Sequence, residues 1–381
     1  MDDKSVQSLT DRQTDRQTDR QTDRQTDRQT DRQINVQLFL LSRAPHNRII
    51  ATGFHELKTR KVLNLSIIED FERGAKQLSY VALTEAVING KIRIAFDTSD
   101  GYFDVIQLDD YLDNVDYCFK RSFSQEKNKK LLPKNGDKVF PLSFNYDVSY
   151  FLNPMDFSHS IRDIRVIVHK VLKPYFVRSY ENNYTKYNNK VIFMCRLWDP
   201  NGAEVCQDKP AQEERKRINQ MRMDVIRELR DKLGADFVGG VFDDDFARKT
   251  CPELILNKKL TSKKHYLSIM KKSLICIATS GLHNSTGWKF AEYVAAGKAI
   301  ISEPLQYSVN GNFEKGKNYL EFNTTEECIK KVDYLLRNSQ LRQSIEKANC
   351  DYYQNFCRPD KQIENALKFV FEQSNFRGDT Y

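Results

Sequence analysis

Long apolar runs are missing from this chain of 381 residues. A membrane-spanning helix needs about 20 consecutive apolar residues. No segment approaches that length, and the longest apolar stretch near the N-terminus is only 38–41. The first residues also lack the basic and apolar regions of a signal peptide. We therefore expect neither a membrane span nor a signal peptide.

Closely spaced cysteines are also missing. The eight cysteines are scattered, and no two of them form a Cys-x-x-Cys pair, so neither a zinc site nor a disulfide framework is indicated. We expect buried, reduced thiols and a cytoplasmic protein. Four Asn-x-Ser/Thr triplets, which mark glycosylation in secreted proteins, point the other way. They lie at Asn64, Asn183, Asn284 and Asn323.

The loops that mark several enzyme classes are absent as well. The chain has no Walker P-loop, no Gly-x-Gly-x-x-Gly and no Gly-x-Ser-x-Gly. NTPases, dinucleotide-binding enzymes and serine hydrolases therefore have no support. The histidines form no spaced cluster, and the acidic run 243–245 is typical of a solvated turn. We expect no bound metal and no cofactor.

A polar repeat occupies the N-terminus. The tetrapeptide Thr-Asp-Arg-Gln occurs six times in succession over 10–33. A segment with alternating charges and no apolar periodicity cannot form a packed core. We therefore expect residues 1–34 to be a disordered, low-complexity tail.

Basic residues outnumber acidic ones by 60 to 52, which gives a formal net charge of +8. The densest basic segments are 127–134, in a loop-forming context, and 263–272, where lysines alternate with apolar residues as on a surface helix. We interpret both as solvated faces and expect no nucleic-acid partner. A modest positive field also attracts phosphorylated small molecules.

The rest of the chain alternates between short apolar segments and segments with helical periodicity. In the first half, the predicted strands are 34–41, 62–68, 91–96, 115–119 and 138–142, and the predicted helices are 46–61 and 71–88. In the second half, the predicted strands are 191–198, 236–242, 274–279, 299–302 and 319–322, and the predicted helices are 212–233, 262–272, 288–296, 325–337, 339–355 and 359–373.

Such alternation predicts parallel sheets with helices on both faces. The fold class is therefore α/β, with two Rossmann-like, doubly wound parallel-sheet domains over 35–150 and 189–355. Residues 151–188 are rich in Tyr and Asn. They are expected to form an interdomain connection with one helix near 160–172.

The most informative stretch is 275–304, where a buried strand leads into a loop of small residues and then a helix that begins near Trp288. The free N–H groups and the dipole of a helix start favour anions. Ser285 and Thr286 are placed to cap this helix, and Gly287 would let a phosphate approach the backbone. The simpler alternative is a capped helix that carries a Lys/Glu pair on its surface.

This stretch resembles the donor-site segment of glycosyltransferases with the GT-B fold, in their group-1-like and spore-maturation-protein-like branch. The resemblance rests on Glu292, on the turn and strand 295–301 that follow it, and on the segment 312–349. It extends over residues 190–373, and it covers the N-terminal half by architecture only.

The resemblance implies an N-terminal acceptor domain, a C-terminal donor domain, and a closing helix, 356–381, that returns to the N-terminal domain. In this family the glutamate that matches Glu292 binds the ribose of a nucleotide sugar. Many members carry a second glutamate where this chain has Asn284. The expected donor-binding residues are Arg196, Gly281, His283, Asn284, Ser285, Thr286, Gly287, Trp288, Lys289 and Glu292.

Arg196 closes the predicted strand 191–198. Members of the family often have an arginine there, near the donor diphosphate, and a guanidinium fork suits diphosphate oxygens. Pairing with Asp199 is the structural alternative. Of the histidines, only His283 is expected in the cleft.

The acceptor side is expected at strand ends of the first half. Asp97 and Asp100 follow the strand 91–96, and one of them could be a general base. Asx-turn chemistry explains the same residues without a function. Lys120 and Arg121 also close a strand and are placed to face the cleft.

These observations predict a metal-independent, hexosyltransferase-type glycosyltransferase. It would transfer a sugar from a nucleotide-diphosphate sugar to an unknown small-molecule or glycan acceptor. In the GT-B mechanism the helix dipole and cations stabilise the leaving diphosphate in place of a metal. The alternative, favoured by Asn284, is a catalytically inactive GT-B-like protein that binds nucleotides or regulates a partner.

Overall fold

The computed structural model describes residues 34–77, 82–156, 176–182, 188 and 190–376. Of the tail expected over 1–34, residues 1–33 lie outside the described residues, and so does the expected helix near 160–172, whereas Ile34 belongs to the first strand. The strands are β1 (Ile34–Leu40), β2 (Leu63–Glu69), β3 (Leu83–Ile88), β4 (Ile92–Asp97), β5 (Tyr117–Lys120), β6 (Val139–Pro141), β7 (Val191–Cys195), β8 (Phe237–Val241), β9 (Ile275–Ala278), β10 (Ala299–Ser302) and β11 (Leu320–Glu321).

The helices lie between and after these strands. They are α1 (Arg48–Thr59), α2 (Phe71–Gln77), α3 (Val105–Tyr111), α4 (Gln125–Leu131), α5 (Val177–Tyr180), α6 (Lys209–Leu233), α7 (Asp245–Thr250), α8 (Lys258–Thr261), α9 (Lys263–Lys272), α10 (Trp288–Ala295), α11 (Thr325–Arg337), α12 (Ser339–Tyr352) and α13 (Pro359–Phe376). No helix among the described residues is both long enough and apolar enough to cross a bilayer.

The first sheet has the strand order β2-β1-β3-β4-β5-β6. Strand β3 runs antiparallel to both of its neighbours, while the other pairs are parallel. The predicted helix over 71–88 is therefore wrong in its second half. The reason is a tight turn in which Asn89 and Gly90 both have positive φ, 52° and 69°. An Asn-Gly pair between two β-prone segments is a strong hairpin signal.

The second sheet has the order β11-β10-β9-β7-β8, and its pairs are parallel. This sheet confirms the predicted doubly wound α/β arrangement. If β7 to β11 are numbered 1 to 5 along the chain, the order across the sheet is 2-1-3-4-5. In this arrangement the direction of winding reverses between β7 and β9. Ligands of such sheets bind in the crevice outside the carboxyl ends of the strands at this reversal.

Apolar contacts join the two halves. The ring of Phe144, which follows β6, lies 5.0 Å from the ring of Phe290 on α10. The closing helix α13 packs on α1 of the first half, where a Cβ on Gly53 would fall 2.3 Å from the Pro359 carbonyl oxygen. Glycine is therefore required at this helix crossing, which holds the end of the chain against the first sheet.

All eight cysteines are free thiols, and only Cys206 and Cys350 are exposed. Cys195 and Cys276 lie buried in β7 and β9, as predicted. Burial raises the pKa of the Cys195 thiol to about 11. It raises the pKa of the Cys276 thiol to about 12. Both groups are therefore neutral packing residues.

Candidate functional site

A cavity of about 720 Å³ is lined by residues that follow strand ends of both sheets. Arg121 contributes from the end of β5, Arg196 from the end of β7 and Thr279 from the end of β9. The cavity thus includes the reversal point of the second sheet. Its volume is in the range of cavities that enclose small-molecule ligands.

The lining brings together most of the residues predicted for donor binding. From the first half it includes His46, Asp100, Arg121 and Asp147. The predicted residues that line it are Arg196, Gly281, Ser285, Gly287, Trp288, Lys289 and Glu292 from the donor side, together with Asp100 and Arg121 from the first half.

Five basic and three acidic side chains line the cavity. Arg121 pairs with Asp100 and Lys263 pairs with Glu292. Arg196 and Lys289, by contrast, form no ion pair with any described residue. The expected alternative for Arg196 is therefore wrong, because Asp199 instead accepts the backbone N–H of Asn201 at 2.8 Å.

The ends of β7 and β9 are held together by Arg222 of α6. Its guanidinium donates to the Arg196 carbonyl, to Thr279 Oγ1 at 2.9 Å and to the Ser280 carbonyl at 2.9 Å. Arg222 is 7% exposed, so these hydrogen bonds form in a poorly solvated environment. They fix the backbone of Arg196 while leaving its side chain exposed to the cavity.

Lys289 is partly buried among aromatic rings. Its ammonium lies 4.1 Å from the ring centroid of Tyr266 and 4.9 Å from that of Phe242. The pKa of Lys289 is lowered to about 8, chiefly by burial. Glu292 opposes this shift, and the nearby cations Lys263 and Arg196 add to it. A cation held this way binds an anion strongly, because little water competes with it.

Glu292 is only 2% exposed. Its Oε1 accepts a hydrogen bond from the ammonium of Lys263 at 2.5 Å, and its Oε2 is buried without a hydrogen-bond partner among the described residues. The simpler alternative, an exposed pair of Lys289 and Glu292 on the helix surface, is therefore wrong. Lys263 was missed as a site residue because its basic segment was interpreted as a solvated face.

Backbone N–H groups at the start of the loop before α10 are already hydrogen-bonded within the protein. The Ser280 N–H donates to Glu303 Oε2 at 2.7 Å, and the Gly281 N–H donates to the Ser285 carbonyl at 2.8 Å. Gly287 is the N-cap residue, and no side chain caps the helix. The expected cap from Ser285 or Thr286 is therefore wrong, and the uncapped helix start faces the cavity through Gly287 and Trp288.

Gly287 has an ordinary backbone conformation, with φ −65° and ψ 154°. A Cβ added there would meet no atom within 4 Å. Neither strain nor packing against described residues therefore requires glycine at this position. Gly287 lines the cavity, so its backbone is accessible there to a ligand.

Three predicted donor residues lie outside the cavity lining. His283 and Asn284 have positive φ, 60° and 57°, and both side chains are exposed. The His283 ring contacts the edge of Phe103 at 4.8 Å. Asn284 and Thr286 line a separate pocket that is large enough for about one water. The left-handed turn thus carries these side chains away from the cavity.

Asp97 and Asp100 have different environments. Asp97 is buried against Lys120, whose ammonium lies 2.5 Å from Oδ2, and both side chains are 1% exposed. Its Oδ1 accepts the Ser99 N–H at 2.9 Å, so the Asx-turn interpretation holds for Asp97. Asp100 lines the cavity, where its Oδ1 accepts a hydrogen bond from the Arg121 guanidinium at 2.6 Å.

Sequence reasoning placed only His283 in the cleft, but the structure places His46 there. His46 Nε2 lies 3.7 Å from Asp100 Oδ2, and its ring contacts Trp288 edge-on at 4.9 Å. Burial first and Arg121 second lower the pKa of His46, against the opposing effects of Asp100 and Asp147. The imidazole is therefore neutral at pH 7. Its position after the carboxyl end of β1 was the signal that could have revealed it.

Residues 220–368 match a family model described as glycosyl transferase-like. This match confirms, for that segment, the resemblance to glycosyltransferases. No curated protein sequence matches the chain.

Several solved structures are similar to this one. The C-terminal domain of a group 1 family glycosyl transferase, LpcC from Francisella tularensis, has 13% identity and a TM-score of 0.34, covering 47% of this chain and 95% of that chain. Anabaena HepE in complex with UDP-glucose has 10% identity and a TM-score of 0.39, and the match covers 88% of this chain and 100% of that chain. A putative UDP-N-acetylglucosamine 2-epimerase from Listeria monocytogenes has 11% identity and a TM-score of 0.40, and the match covers 91% of this chain and 98% of that chain.

Proposed function

We propose, from the glycosyl transferase-like match of residues 220–368, that this protein transfers a hexosyl group from a nucleotide-diphosphate sugar to a hydroxyl of a small molecule or glycan. One observation carries the proposal. Two cations without acidic partners among the described residues, Arg196 and Lys289, share a cavity lining with the uncapped start of α10. This arrangement suits a diphosphate.

The diphosphate binds between these groups. Arg196 supplies a guanidinium fork, Lys289 an ammonium, and the first-turn N–H groups of α10 complete the site beside Gly287. As the bond between the sugar and the diphosphate breaks, negative charge grows on the leaving oxygen, and these fixed positive groups stabilise it. We therefore propose transfer without a metal ion.

Glu292 and Lys263 bind the ribose as a unit. The carboxylate accepts a ribose hydroxyl, and the ammonium that now contacts Oε1 donates to another. Gly281 and Ser285 also line the cavity. Because the Gly281 N–H already donates to the Ser285 carbonyl, the Gly281 carbonyl and the Ser285 hydroxyl are the groups that contact the sugar. In this proposal Asn284 takes no direct part, because its side chain lies outside the cavity.

The acceptor binds on the side of the first half, and residues 35–150 form its domain, with 189–355 as the donor domain. The neutral His46 accepts the proton of the attacking hydroxyl, and Asp100 orients the imidazole. Asp97 has no part in this step, because Lys120 holds it away from the cavity. We also propose a cytoplasmic location, because all eight cysteines are free thiols.

A thermal-shift screen of nucleoside diphosphates, beginning with uridine diphosphate, tests the proposal. A ligand at 100 times its dissociation constant stabilises the native state by about 2.7 kcal/mol. We expect one nucleotide to raise the melting temperature, and Glu292→Ala to weaken its binding about tenfold. If no nucleoside diphosphate stabilises the protein, the proposal is wrong.

The second candidate is an inactive GT-B-like protein that binds nucleotides or regulates a partner. It is favoured by the position of Asn284, since no carboxylate from this point of the loop reaches the cavity. Incubation with nucleotide sugars distinguishes the two. Release of nucleoside diphosphate supports the transferase, whereas binding without turnover for any donor supports the inactive protein.

A further inference from the structure

Arg121 touches both walls of the cavity. Its Nη1 donates to Asp100 Oδ1 at 2.6 Å on the side of the first half. Its Nη2 donates to the backbone carbonyl of Thr286, in the loop before α10. One guanidinium therefore joins a carboxylate beside His46 to the residue that precedes Gly287.

The guanidinium is held in one orientation. Arg121 follows β5, and its backbone N–H donates to the Asp97 carbonyl at 2.9 Å. The side chain is 5% exposed, and the neighbouring Lys120 and Asp97 form a fully buried ion pair. A charged group that is fixed by its surroundings can transmit a shift of one partner to the other.

The loop needs such support. His283 and Asn284 both adopt left-handed backbone conformations, which cost energy in residues other than glycine. Near its start the loop is held by Glu303, which accepts the Ser280 N–H at 2.7 Å. Close to its end, Arg121 binds the Thr286 carbonyl. The His283 ring also packs against Phe103 of the first half. Within the second half, the Tyr307 hydroxyl donates to the His283 carbonyl at 3.0 Å and the Asn284 N–H donates to Glu214 Oε1 at 3.2 Å. Between the described residues, the hydrogen bond from Arg121 is the one that links this loop to the first half.

We propose that Arg121 is a positioning residue that couples the donor loop to the pair of His46 and Asp100. The donor site and the acceptor base are then assembled together, through one side chain. The names of the two sites rest on the proposed function. The coupling itself belongs to the ligand-free protein and is tested there.

The first test measures amide hydrogen exchange over 279–290 in the ligand-free protein. Arg121→Gln removes the hydrogen bond that ties the loop to the first half, so we expect exchange there to become about tenfold faster. The matched control is Arg73→Gln, because Arg73 pairs with Asp70 and Glu85 within the first half. Exchange at the wild-type rate in Arg121→Gln, or equal acceleration in Arg73→Gln, would overturn the proposal.

The second test changes a residue on the first-half side of the cavity and measures exchange in the loop on the other side. Asp100→Ala changes a side chain that makes no described contact with the loop, yet it removes the shorter of the two hydrogen bonds of Arg121 Nη1, which also donates to the Thr98 carbonyl at 3.4 Å. We expect faster exchange over 279–290 in this variant, and no further increase when Asp100→Ala is added to Arg121→Gln. Additive effects, or an unchanged loop in Asp100→Ala, would contradict coupling through Arg121.

The third test follows the imidazole of His46 by NMR. Arg121, Asp100 and Asp147 are the charged groups that act on it, and Trp288 packs against its ring. Removing the positive charge of Arg121 raises the pKa of His46 if the guanidinium lies beside the pair of His46 and Asp100, whereas a guanidinium that faces only the loop leaves it unchanged. An unshifted titration in Arg121→Gln would contradict the link to the acceptor side. A failed nucleotide screen, by contrast, would reject the proposed function and leave these three results to decide the coupling.

Discussion

The ammonium of Lys263 lies 2.5 Å from Oε1 of Glu292 and joins helix α9 to helix α10. The carboxylate side chain is 2% exposed and the lysine side chain 22%. A pair so poorly hydrated costs much to desolvate, and it is tolerated only when each charge keeps its partner. The two residues therefore serve the fold as well as the cavity.

Lys263→Met leaves Glu292 as a buried charge without its partner. We expect a loss of about 2–3 kcal/mol in the free energy of unfolding, measured by urea denaturation. The double variant Lys263→Met with Glu292→Gln removes both charges and should recover most of that loss. If the single variant is as stable as the wild type, the ion pair does not form in solution.

The second sheet was the easier part to predict. Its strands are buried parallel strands, which appear in a sequence as continuous apolar runs. The prediction 274–279 contains β9 at Ile275–Ala278, and 191–198 contains β7 at Val191–Cys195. Strand β3 was mistaken for helix because Thr84 and Glu85 interrupt its apolar pattern, although both are buried. A buried Glu85 becomes acceptable only once Arg73 and Arg93 surround it.

The site was predictable where it is local in sequence. The loop of small residues and the helix start at Trp288 follow one another along the chain, so composition reveals them. Contacts between the halves are different, because Arg121 and Thr286 are separated by 165 positions. No periodicity or motif relates such residues, and only the folded chain brings them together.

Gly287→Ala tests whether the helix start contacts the ligand. The added methyl group has room in the ligand-free protein, so we expect the free energy of unfolding to change by less than about 1 kcal/mol. In the proposed complex the same methyl group would occupy the space of the diphosphate. We expect about a tenfold weaker nucleoside diphosphate affinity by calorimetry. Unchanged affinity would place the diphosphate elsewhere.

Asp97→Asn should lower stability, whereas His46→Gln should lower activity. Asp97→Asn breaks a fully buried ion pair, so we expect it to cost about 3–5 kcal/mol of stability. His46→Gln should leave stability and nucleotide affinity near the wild-type values while lowering transfer roughly 10²- to 10⁴-fold. Urea denaturation and a donor-turnover assay measure the two effects.

The pH dependence of turnover adds a check on His46. Because burial lowers the pKa of His46 below its usual 6.5, the base is already deprotonated at neutral pH. Turnover should therefore rise with pH below 6.5 and stay level around pH 7. A profile that still rises steeply above pH 7 would assign the base to another group.

Lys289 should make nucleotide binding depend on alkaline pH. Its pKa is lowered to about 8 in the ligand-free protein, and a bound diphosphate favours the charged form and raises that pKa again. Binding above pH 8 therefore takes up a proton, and affinity should fall about tenfold between pH 7.5 and 9.5. Calorimetry in buffers of different ionisation enthalpy measures the proton uptake. Lys289→Met should bind weakly at every pH and show no such uptake.

The stability of the ligand-free protein should rise with pH over the range in which nucleotide affinity falls. Lys289 in the unfolded chain keeps its proton up to about pH 10.5, whereas in the folded protein it begins to lose that proton near pH 8. The unfolded state therefore binds more protons between these values, and the contribution of Lys289 to stability rises with pH across this window. Urea denaturation at pH 7.5 and 9.5, compared between the wild type and Lys289→Met, isolates this contribution. An equal change in both proteins would mean that the ammonium of Lys289 is well hydrated, and that its affinity for a diphosphate does not come from burial.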